Sequence, residues 1–180
     1  GKGTTSTQSV QIPPEVMAYI AGANSEKFLE FNFLIGSWSV EGVRVLPDRE
    51  SFGYRAKWNA RYINDKRMVV DDFKILSPDG MEVSSYVTLR SYSPISKRWE
   101  LSGLAALSPS LETHEWYGNV EGEDMLLHAK GVTGDGKIIL NQIRFFDITE
   151  NQFKWVSNLS FDNGESWFEN GSLVATRIMQ

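Results

Sequence analysis

Turn signals recur about every dozen residues from Gly36 onward, and this spacing constrains the fold more than any other feature of the chain. Each signal combines Gly, Asn, Asp, Ser or Pro, which accept positive φ or preset a turn. The signals lie at residues 77–80, 92–94, 121–124, 134–136, 149–151 and 162–164. The segments between them leave no room for crossover helices, so the pattern predicts antiparallel strands joined by hairpins.

About ten candidate strands fill the segments between these turns. Many of them run to about ten residues, whereas strands in ordinary sheets average about five or six. The clearest one alternates from Phe52 to Tyr62, with apolar residues on one face and Arg, Lys and Asn on the other. The candidate strands are residues 37–46, 52–63, 66–76, 81–92, 97–107, 113–120, 124–131, 137–147, 152–161 and 165–178.

An open sheet of ten such strands would have long unpaired edges, and closure into a barrel removes them. The sequence therefore predicts an all-β fold, a single antiparallel up-and-down β-barrel of about 8–10 strands with short N-terminal helices. Barrels of this size hold at most one small ligand. We expect residues 1–11 to be a disordered lead, residues 12–31 to form short helices that cap the barrel, and residues 32–180 to form the barrel itself.

The segment before the barrel carries helix signals. Pro13 and Pro14 are tolerated in a first helical turn and predict a short helix through Ala21. Asn24 or Ser25 is the expected cap of a second short helix that ends near residue 31. The chain begins with Gly rather than Met. This fits an exported protein after removal of its signal peptide, so we expect an extracytoplasmic or secreted protein. A tagged cytoplasmic protein is the alternative.

Charge and composition exclude several functional classes. The net charge of −5 offers no cationic field for a nucleic-acid backbone. The chain has no Cys and only two His, His114 and His128, so the sequence predicts no metal site. No apolar run approaches the length of a membrane span. The notable surplus is aromatic, with 6 Trp, 6 Tyr and 10 Phe making up 12% of the chain. The oligomeric state stays open.

Two motifs at the ends of the barrel region carry a resemblance. Gly36 and Trp38 open the first strand in the pattern FxFLxGxW, and SxDxGxxW with a final Arg177 ends the last hairpin. They resemble the calycin superfamily of lipocalins, fatty-acid-binding proteins and nitrobindin-like barrels, and the full pattern is similar to an uncharacterised bacterial family of lipocalin-like domains. The resemblance covers roughly residues 28–178. It implies that Trp38 sits at the closed end of the barrel with Arg177 across its ring, as a structural cation–π pair.

The same resemblance bears on cofactors. Nitrobindin-like barrels hold haem iron through a histidine late in the chain. Here no histidine follows His128, so no cofactor is expected.

Residues 160–167, SFDNGESW, also resemble the Asp-box of sialidase-type propellers. A propeller needs several copies of such a repeat, and this chain has one. Asp162, Gly164 and Trp167 are therefore interpreted as structural residues of a tight hairpin turn at residues 163–164.

Asp71 is the most informative polar residue, because neighbouring strand residues point to opposite faces and either Asp71 or Asp72 must point inward. A three-residue turn at 78–80 pairs Phe73 with Ser85 and Asp71 with Val87. This register places Asp71 inside, beside the inward side chains of Val83, Val87 and Leu89. An inward Asp71 needs a cation, a hydrogen-bond network or a proton. It would be a polar anchor, a weak catalytic candidate, or a structural partner of a Lys or Arg. If residues 66–76 are not an unbroken strand, a bulge that turns both Asp71 and Asp72 outward is the alternative.

The hairpin around residues 149–151 raises the same question of register. A three-residue loop pairs Trp155 with Phe145 and Ser157 with Ile143, and leaves Arg144 outside. A two-residue loop would bring that arginine inside. The first register gives inward Ile143 and Phe145 and is preferred. Asn141 and Ser157 then become interior polar groups.

The leading functional hypothesis is a lipocalin-like barrel that binds one small hydrophobic or amphiphilic molecule. Its predicted ligand contacts are Trp58, Tyr62, Asp71, Trp116, Asn141, Trp155 and Ser157. One alternative is a barrel enzyme of isomerase or cyclase type that uses Asp71 near Tyr62. Another is an interaction module with a vestigial, packed cavity.

Overall fold

The computed structural model describes residues 3, 9–23, 25–106 and 113–179. Most of the predicted lead and the alternative cap at residue 24 lie outside these ranges. Helix α1 spans Pro14–Ile20, and two 3-10 helices follow at Ser25–Leu29 and Asn32–Leu34. The strands are β1 Gly36–Val45, β2 Ser51–Ile63, β3 Met68–Leu76, β4 Glu82–Ser93, β5 Arg98–Ala105, β6 Thr113–Glu121, β7 Asp124–Val132, β8 Ile138–Phe146, β9 Gln152–Ser160 and β10 Phe168–Arg177.

These strands form one closed antiparallel barrel in which each strand pairs with its neighbours in the chain and β1 pairs with β10. The predicted all-β up-and-down barrel is thereby confirmed. The strand ends lie within three residues of the predicted ones, except that the predicted end at residue 107 lies outside the described residues. The positions of the turn residues predict the strand ends, because these residue types accept the backbone dihedral angles that a hairpin turn requires.

Trp38 and Arg177 join the first strand to the last. They face each other across the β1–β10 ladder, with the Arg177 guanidinium carbon 4.2 Å from the centre of the Trp38 ring. The Trp38 indole N–H donates to the Leu34 carbonyl at 2.8 Å, and Arg177 Nη1 donates to the Ile35 carbonyl at 2.7 Å. Gly36 has a φ of +124°, and a Cβ there would overlap Arg177 Nη1. This junction therefore requires a glycine at position 36.

The segment before β1 closes the same end of the barrel. Phe31 and Leu34 are fully buried, and the Phe31 ring packs edge-on against Trp99 with centroids 4.8 Å apart. The Trp99 indole N–H donates to Glu30 Oε1 at 3.2 Å, and the Tyr62 hydroxyl donates to Asn32 Oδ1 at 2.9 Å. Within the described residues, this end of the barrel is thus plugged by the segment before β1.

The β9–β10 connection is wider than the predicted tight turn. Asn163 and Gly164 have positive φ values of 59° and 92°, as a turn there requires, but β9 ends at Ser160 and β10 begins at Phe168. The loop is organised by Asp162, which accepts hydrogen bonds from Ser160 Oγ at 2.8 Å, from the Ser166 backbone N–H at 2.8 Å and from Ser166 Oγ. A two-residue turn would have allowed the backbone pairing of β9 and β10 to continue to the turn. In this loop the hydrogen bonds accepted by Asp162 take the place of that pairing.

These hydrogen bonds, led by the one from Ser166, lower the pKa of Asp162 to about 2. A carboxyl group with a pKa depressed in the folded state stabilises the protein above its unfolded pKa, and that contribution is lost as the pH falls through the folded pKa. We therefore expect the stability advantage of the wild type over Asp162→Asn to shrink between about pH 4 and about pH 2. Urea unfolding across this range measures it, and an advantage independent of pH would contradict the assignment.

Candidate functional site

A cavity of about 380 Å³ lies inside the barrel. Inward side chains of strands β2 to β10 line it, and β1 contributes Arg44 near the end opposite the plug. The apolar lining residues are Trp58, Phe73, Ile75, Leu101, Trp116, Leu127, Ile143, Phe145, Trp155 and Leu173. The polar ones are Arg44, Tyr54, Asp71, Ser84, Tyr86, Thr88, Arg90, His114, Asn141, Ser157 and Asn170. The interior is therefore neither solid nor uniformly apolar.

The register between β3 and β4 differs from the predicted one. The predicted pairing holds at the turn, where Leu76 faces Glu82, but a β-bulge follows and Ile75 faces Ser84. Asp71 consequently pairs with Thr88 instead of Val87. Because a shift of one residue exchanges the two faces of a strand, the predicted inward Val83, Val87 and Leu89 lie on the outer face. The inward direction of Asp71 itself was predicted correctly, since the residue is 3% exposed.

Asp71 forms a buried ion pair with Arg90 on β4. Arg90 Nε donates to Asp71 Oδ1 at 2.6 Å, and Arg90 Nη2 donates to Oδ2 at 3.2 Å. The Trp58 indole N–H donates to the same Oδ2 at 2.9 Å. Both oxygens of Asp71 thus hold donors, and the two charges cancel. This arrangement favours the structural interpretation of Asp71 over the catalytic one, which stays a prediction.

The Arg90 guanidinium is enclosed by aromatic rings at the plugged end of the cavity. Its central carbon lies 4.7 Å from the centre of the Phe31 ring and 5.7 Å from that of Phe145. Only 4% of Arg90 is exposed, and its Nη1 has no hydrogen-bond acceptor among the described residues. A buried donor without an acceptor is destabilising. The Phe31 and Phe145 rings are the neighbours of the guanidinium that offset part of this cost.

Asn141 and Ser157 lie where the β8–β9 register was predicted to place them. Ile143 faces Ser157 and Phe145 faces Trp155, and the side chain of Arg144 lies outside, 2.7 Å from Asp124. That register is confirmed. The two polar residues bind each other: Asn141 Nδ2 donates to Ser157 Oγ at 2.7 Å. Their role as ligand contacts stays a prediction.

Three of the four predicted tryptophan and tyrosine contacts line the cavity. Trp58 and Trp116 have their indole N–H groups occupied by Asp71 and by Asn141 Oδ1, the latter at 3.1 Å. Trp155 is the third. The indoles of Trp58 and Trp116 therefore offer a ligand their ring surfaces and no free hydrogen-bond donor. Tyr62 lies instead at the plugged end against Asn32, away from the cavity lining. This position does not favour its predicted role as a ligand contact.

The open end of the cavity carries Tyr86 and Asn170, neither of which the sequence analysis singled out. Burial raises the pKa of Tyr86 to about 12. Tyr86 Oη and Asn170 Oδ1 have no partner among the described residues. The Tyr86 side chain lies over Gly103 of β5, where any Cβ would overlap it. Gly103 is thus the residue that lets this tyrosine lie against the barrel wall.

Arg90 and Tyr86 were missed because they lie beyond the bulge. In β4 the outward residues Val87 and Leu89 are more apolar than the inward Thr88 and Arg90, so hydrophobic alternation selects the wrong face. One signal was available: an inward Asp71 requires a cation, and Arg90 is a single residue out of register with the predicted inward set.

The described residues contain no candidate metal centre. No group of three or more His, Asp or Glu side chains within them is arranged to hold a metal ion. His114 lies at the mouth near Trp116, with ring centroids 6.2 Å apart, and His128 packs against Tyr117 on the outer face. Among the helices in the described ranges, none is long and apolar enough to cross a membrane. What the site offers is a cavity lined by aromatic and aliphatic side chains and by about as many polar ones, of which Asp71 and Arg90, and Asn141 and Ser157, are paired with each other.

Comparison with known proteins supports the fold and leaves the family open. No protein-family model and none of the curated proteins matches the chain. Among solved structures, Rv2717c from M. tuberculosis has a TM-score of 0.57 at 16% identity, over 94% of this chain and 100% of that one. The S-type phycobiliprotein lyase CPES from Guillardia theta has a TM-score of 0.54 at 13% identity, over 87% of this chain and 93% of that one. At these identities the likeness shows the fold alone: a closed, ten-stranded antiparallel barrel.

Proposed function

We propose that this barrel binds one small, largely apolar molecule in its interior and performs no covalent chemistry on it. The observation that carries this proposal is the cavity of about 380 Å³, lined by Trp58, Trp116 and Trp155 among other apolar side chains. Ligand sites of small molecules fall between about 300 and 1,000 Å³ and combine an apolar lining with few polar groups. A vestigial, fully packed interior would leave no such space.

The plugged end sets the direction of entry. The segment containing Phe31 and Leu34 seals the barrel beside Trp38, so a ligand would enter from the opposite end, where β1 ends at Val45. A molecule held in this way would have its apolar part surrounded by the tryptophans. Such enclosure is typical of carriers and storage proteins, which shield an apolar molecule from water.

A pair of neighbouring substitutions tests the site. Thr88 is 7% exposed and lines the cavity, whereas Val87 is 39% exposed on the outer face of the same strand. Thr88→Phe adds a ring inside the cavity, and Val87→Phe adds the same ring outside. We expect Thr88→Phe to weaken binding of the neutral apolar dye Nile red by at least about tenfold, equivalent to about 1.4 kcal/mol, and Val87→Phe to leave it unchanged.

The measurement is the rise of dye fluorescence on titration, with quenching of tryptophan emission as a second readout. Equal losses in both variants would show that the dye binds elsewhere. Absence of dye binding to the wild type, together with a bare chain mass in native mass spectrometry of gently purified protein, would overturn the proposed function.

A further inference from the structure

The arginines and the aspartate of the cavity lining do not balance in charge. The lining contains two arginines, Arg44 and Arg90, and one aspartate, Asp71. Asp71 is paired with Arg90, and both side chains are at most 5% exposed. Arg44 takes part in none of the ion pairs within the described residues. The cavity wall therefore carries an arginine charge for which this part of the protein supplies no carboxylate.

Arg44 lies at the end of the barrel opposite the plug, one residue before the end of β1 at Val45. Gly42, the preceding residue on the same face of the strand, is buried. The Tyr54 side chain lies over Gly42, where a Cβ would overlap its hydroxyl. Burial raises the pKa of Tyr54, and the Arg44 guanidinium opposes this rise, as a cation close to the hydroxyl does. The guanidinium thus lies beside a hydroxyl of the cavity wall.

The acidic residues nearest to Arg44 in the chain do not neutralise it. Glu41 lies on the outer face of β1 and is exposed. In the following loop, Asp48 Oδ1 accepts the backbone N–H of Glu50 at 2.9 Å. None of these three forms an ion pair with Arg44. Because Arg44 is only partly exposed, water and salt screen an anion beside it less than they would on an open surface.

We infer that the cavity binds an amphiphilic carboxylate, with its apolar body among Trp58, Trp116 and Trp155 and its carboxylate paired with Arg44 at the end opposite the plug. This inference rests on the proposed function. A guanidinium binds a carboxylate through two parallel N–H···O bonds, a geometry that also fixes its orientation. The hydroxyl of Tyr54 is a further donor beside the same position.

The reverse orientation, with the carboxylate at the plugged end, is unfavourable. There the charge of Arg90 is already cancelled by Asp71, and both Asp71 oxygens hold donors. A carboxylate at that end would lose its water without gaining a counter-charge, and it would lie near a second carboxylate. The charges of the lining therefore favour one orientation of the ligand.

Three probes with one apolar body test the preference for charge. They are 6-phenylhexanoate, its methyl ester and 6-phenylhexylamine, whose heads are negative, neutral and positive. Calorimetric titration of the wild type at neutral pH and low salt should give the tightest binding for the carboxylate. We expect an advantage of about tenfold over the ester, the size of one hydrogen bond to a charged group. This advantage should shrink at about 1 M salt, where the Debye length is about 3 Å.

Two matched substitutions locate the carboxylate. Arg44→Gln should weaken binding of 6-phenylhexanoate by about tenfold and leave the ester within about twofold. Arg55→Gln removes the same charge near the same end of the barrel, but Arg55 is exposed on the outer face of β2 and donates to the Pro78 carbonyl. It should change binding of the carboxylate by less than about twofold, as expected for a screened surface charge.

Arg44→Glu adds a reversal of the preference. A carboxylate at position 44 should repel 6-phenylhexanoate and make 6-phenylhexylamine the tightest of the three probes. The position is partly exposed near a strand end, where substitutions cost little stability. The ranking of the three probes on the wild type and its dependence on salt test the inference without any variant.

The outcomes distinguish the two proposals. If neither Nile red nor any of the phenylhexyl probes binds the wild type, the proposed function fails. If Nile red and the ester bind but the carboxylate has no advantage, the function stands and the preference for an anion is overturned. If the advantage survives Arg44→Gln, or Arg55→Gln weakens carboxylate binding equally, the carboxylate does not bind at Arg44.

Discussion

Arg90→Met should lower the free energy of unfolding by about 3–5 kcal/mol, because it leaves the Asp71 carboxylate buried without a cation. Asp71 is 3% exposed and would retain only the hydrogen bond from Trp58. Removing one member of a buried pair is worse than removing both, since the remaining group keeps its desolvation penalty. Urea unfolding at neutral pH, followed by tryptophan fluorescence, measures the effect.

Two control variants make this prediction specific. Asp71→Leu/Arg90→Met replaces the pair by apolar groups and should restore most of the lost stability. Arg144→Met breaks the ion pair with Asp124 on the outer face, where Arg144 is 38% exposed. It should cost less than about 1 kcal/mol, as exposed pairs do. If Arg90→Met were no more destabilising than Arg144→Met, the buried pair would not have the energetic importance assigned to it.

Local chemistry predicts the strands of this barrel well because hairpin turns need particular residues. Gly80, Gly122, Gly136 and Gly164 all have positive φ, and each lies in a predicted turn. The alternation from Phe52 to Tyr62 likewise reflects a strand with one face inward. Closure follows from the same facts, since ten long strands without helices between them leave no other way to remove the edges.

Residues of the candidate site were placed correctly only where the pairing of two strands followed directly from the length of the turn between them. Asn141 and Ser157 were placed correctly because no bulge interrupts the β8–β9 ladder. Between β3 and β4 the turn was also right, but the bulge near Val83 inserts one residue and exchanges the faces of the rest of β4. A bulge depends on how the whole sheet must bend. Arg90, the buried cation that pairs with Asp71, could therefore not be placed from local sequence.

The aromatic residues fall into groups with different roles, and local sequence does not separate these groups either. Trp58, Trp116 and Trp155 line the cavity, whereas Trp38 and Trp99 belong to the plugged end and are at most 1% exposed. Amino-acid composition does not distinguish these two groups of tryptophans. Only the ladder pairing and the plug separate side chains that face a ligand from side chains that close the barrel.

Trp38→Ala is expected to lower the free energy of unfolding by about 3–5 kcal/mol, the usual range for a buried Trp or Phe reduced to Ala. Trp38 is fully buried, packs edge-on against Phe153 with centroids 4.7 Å apart, and supports the Arg177 guanidinium at 4.2 Å. Its loss leaves a void at the one ladder that joins the ends of the sheet, β1 to β10, so several contacts fail together.

Trp167→Ala is the matched control, because Trp167 is 42% exposed and binds only the Gly164 carbonyl through its indole. It should lower the free energy of unfolding by no more than about 1 kcal/mol. Both variants remove the same atoms. The difference between their losses in free energy of unfolding therefore measures the closure of the barrel at Trp38 and Arg177 and not the removal of a tryptophan side chain in general. Hydrogen exchange of the β1 and β10 amides gives a second readout: Trp38→Ala should speed exchange there first, since Trp38 lies on the ladder that joins these two strands. Equal losses of stability in the two variants, with exchange in β1 and β10 unchanged, would mean that the barrel closes without this pair.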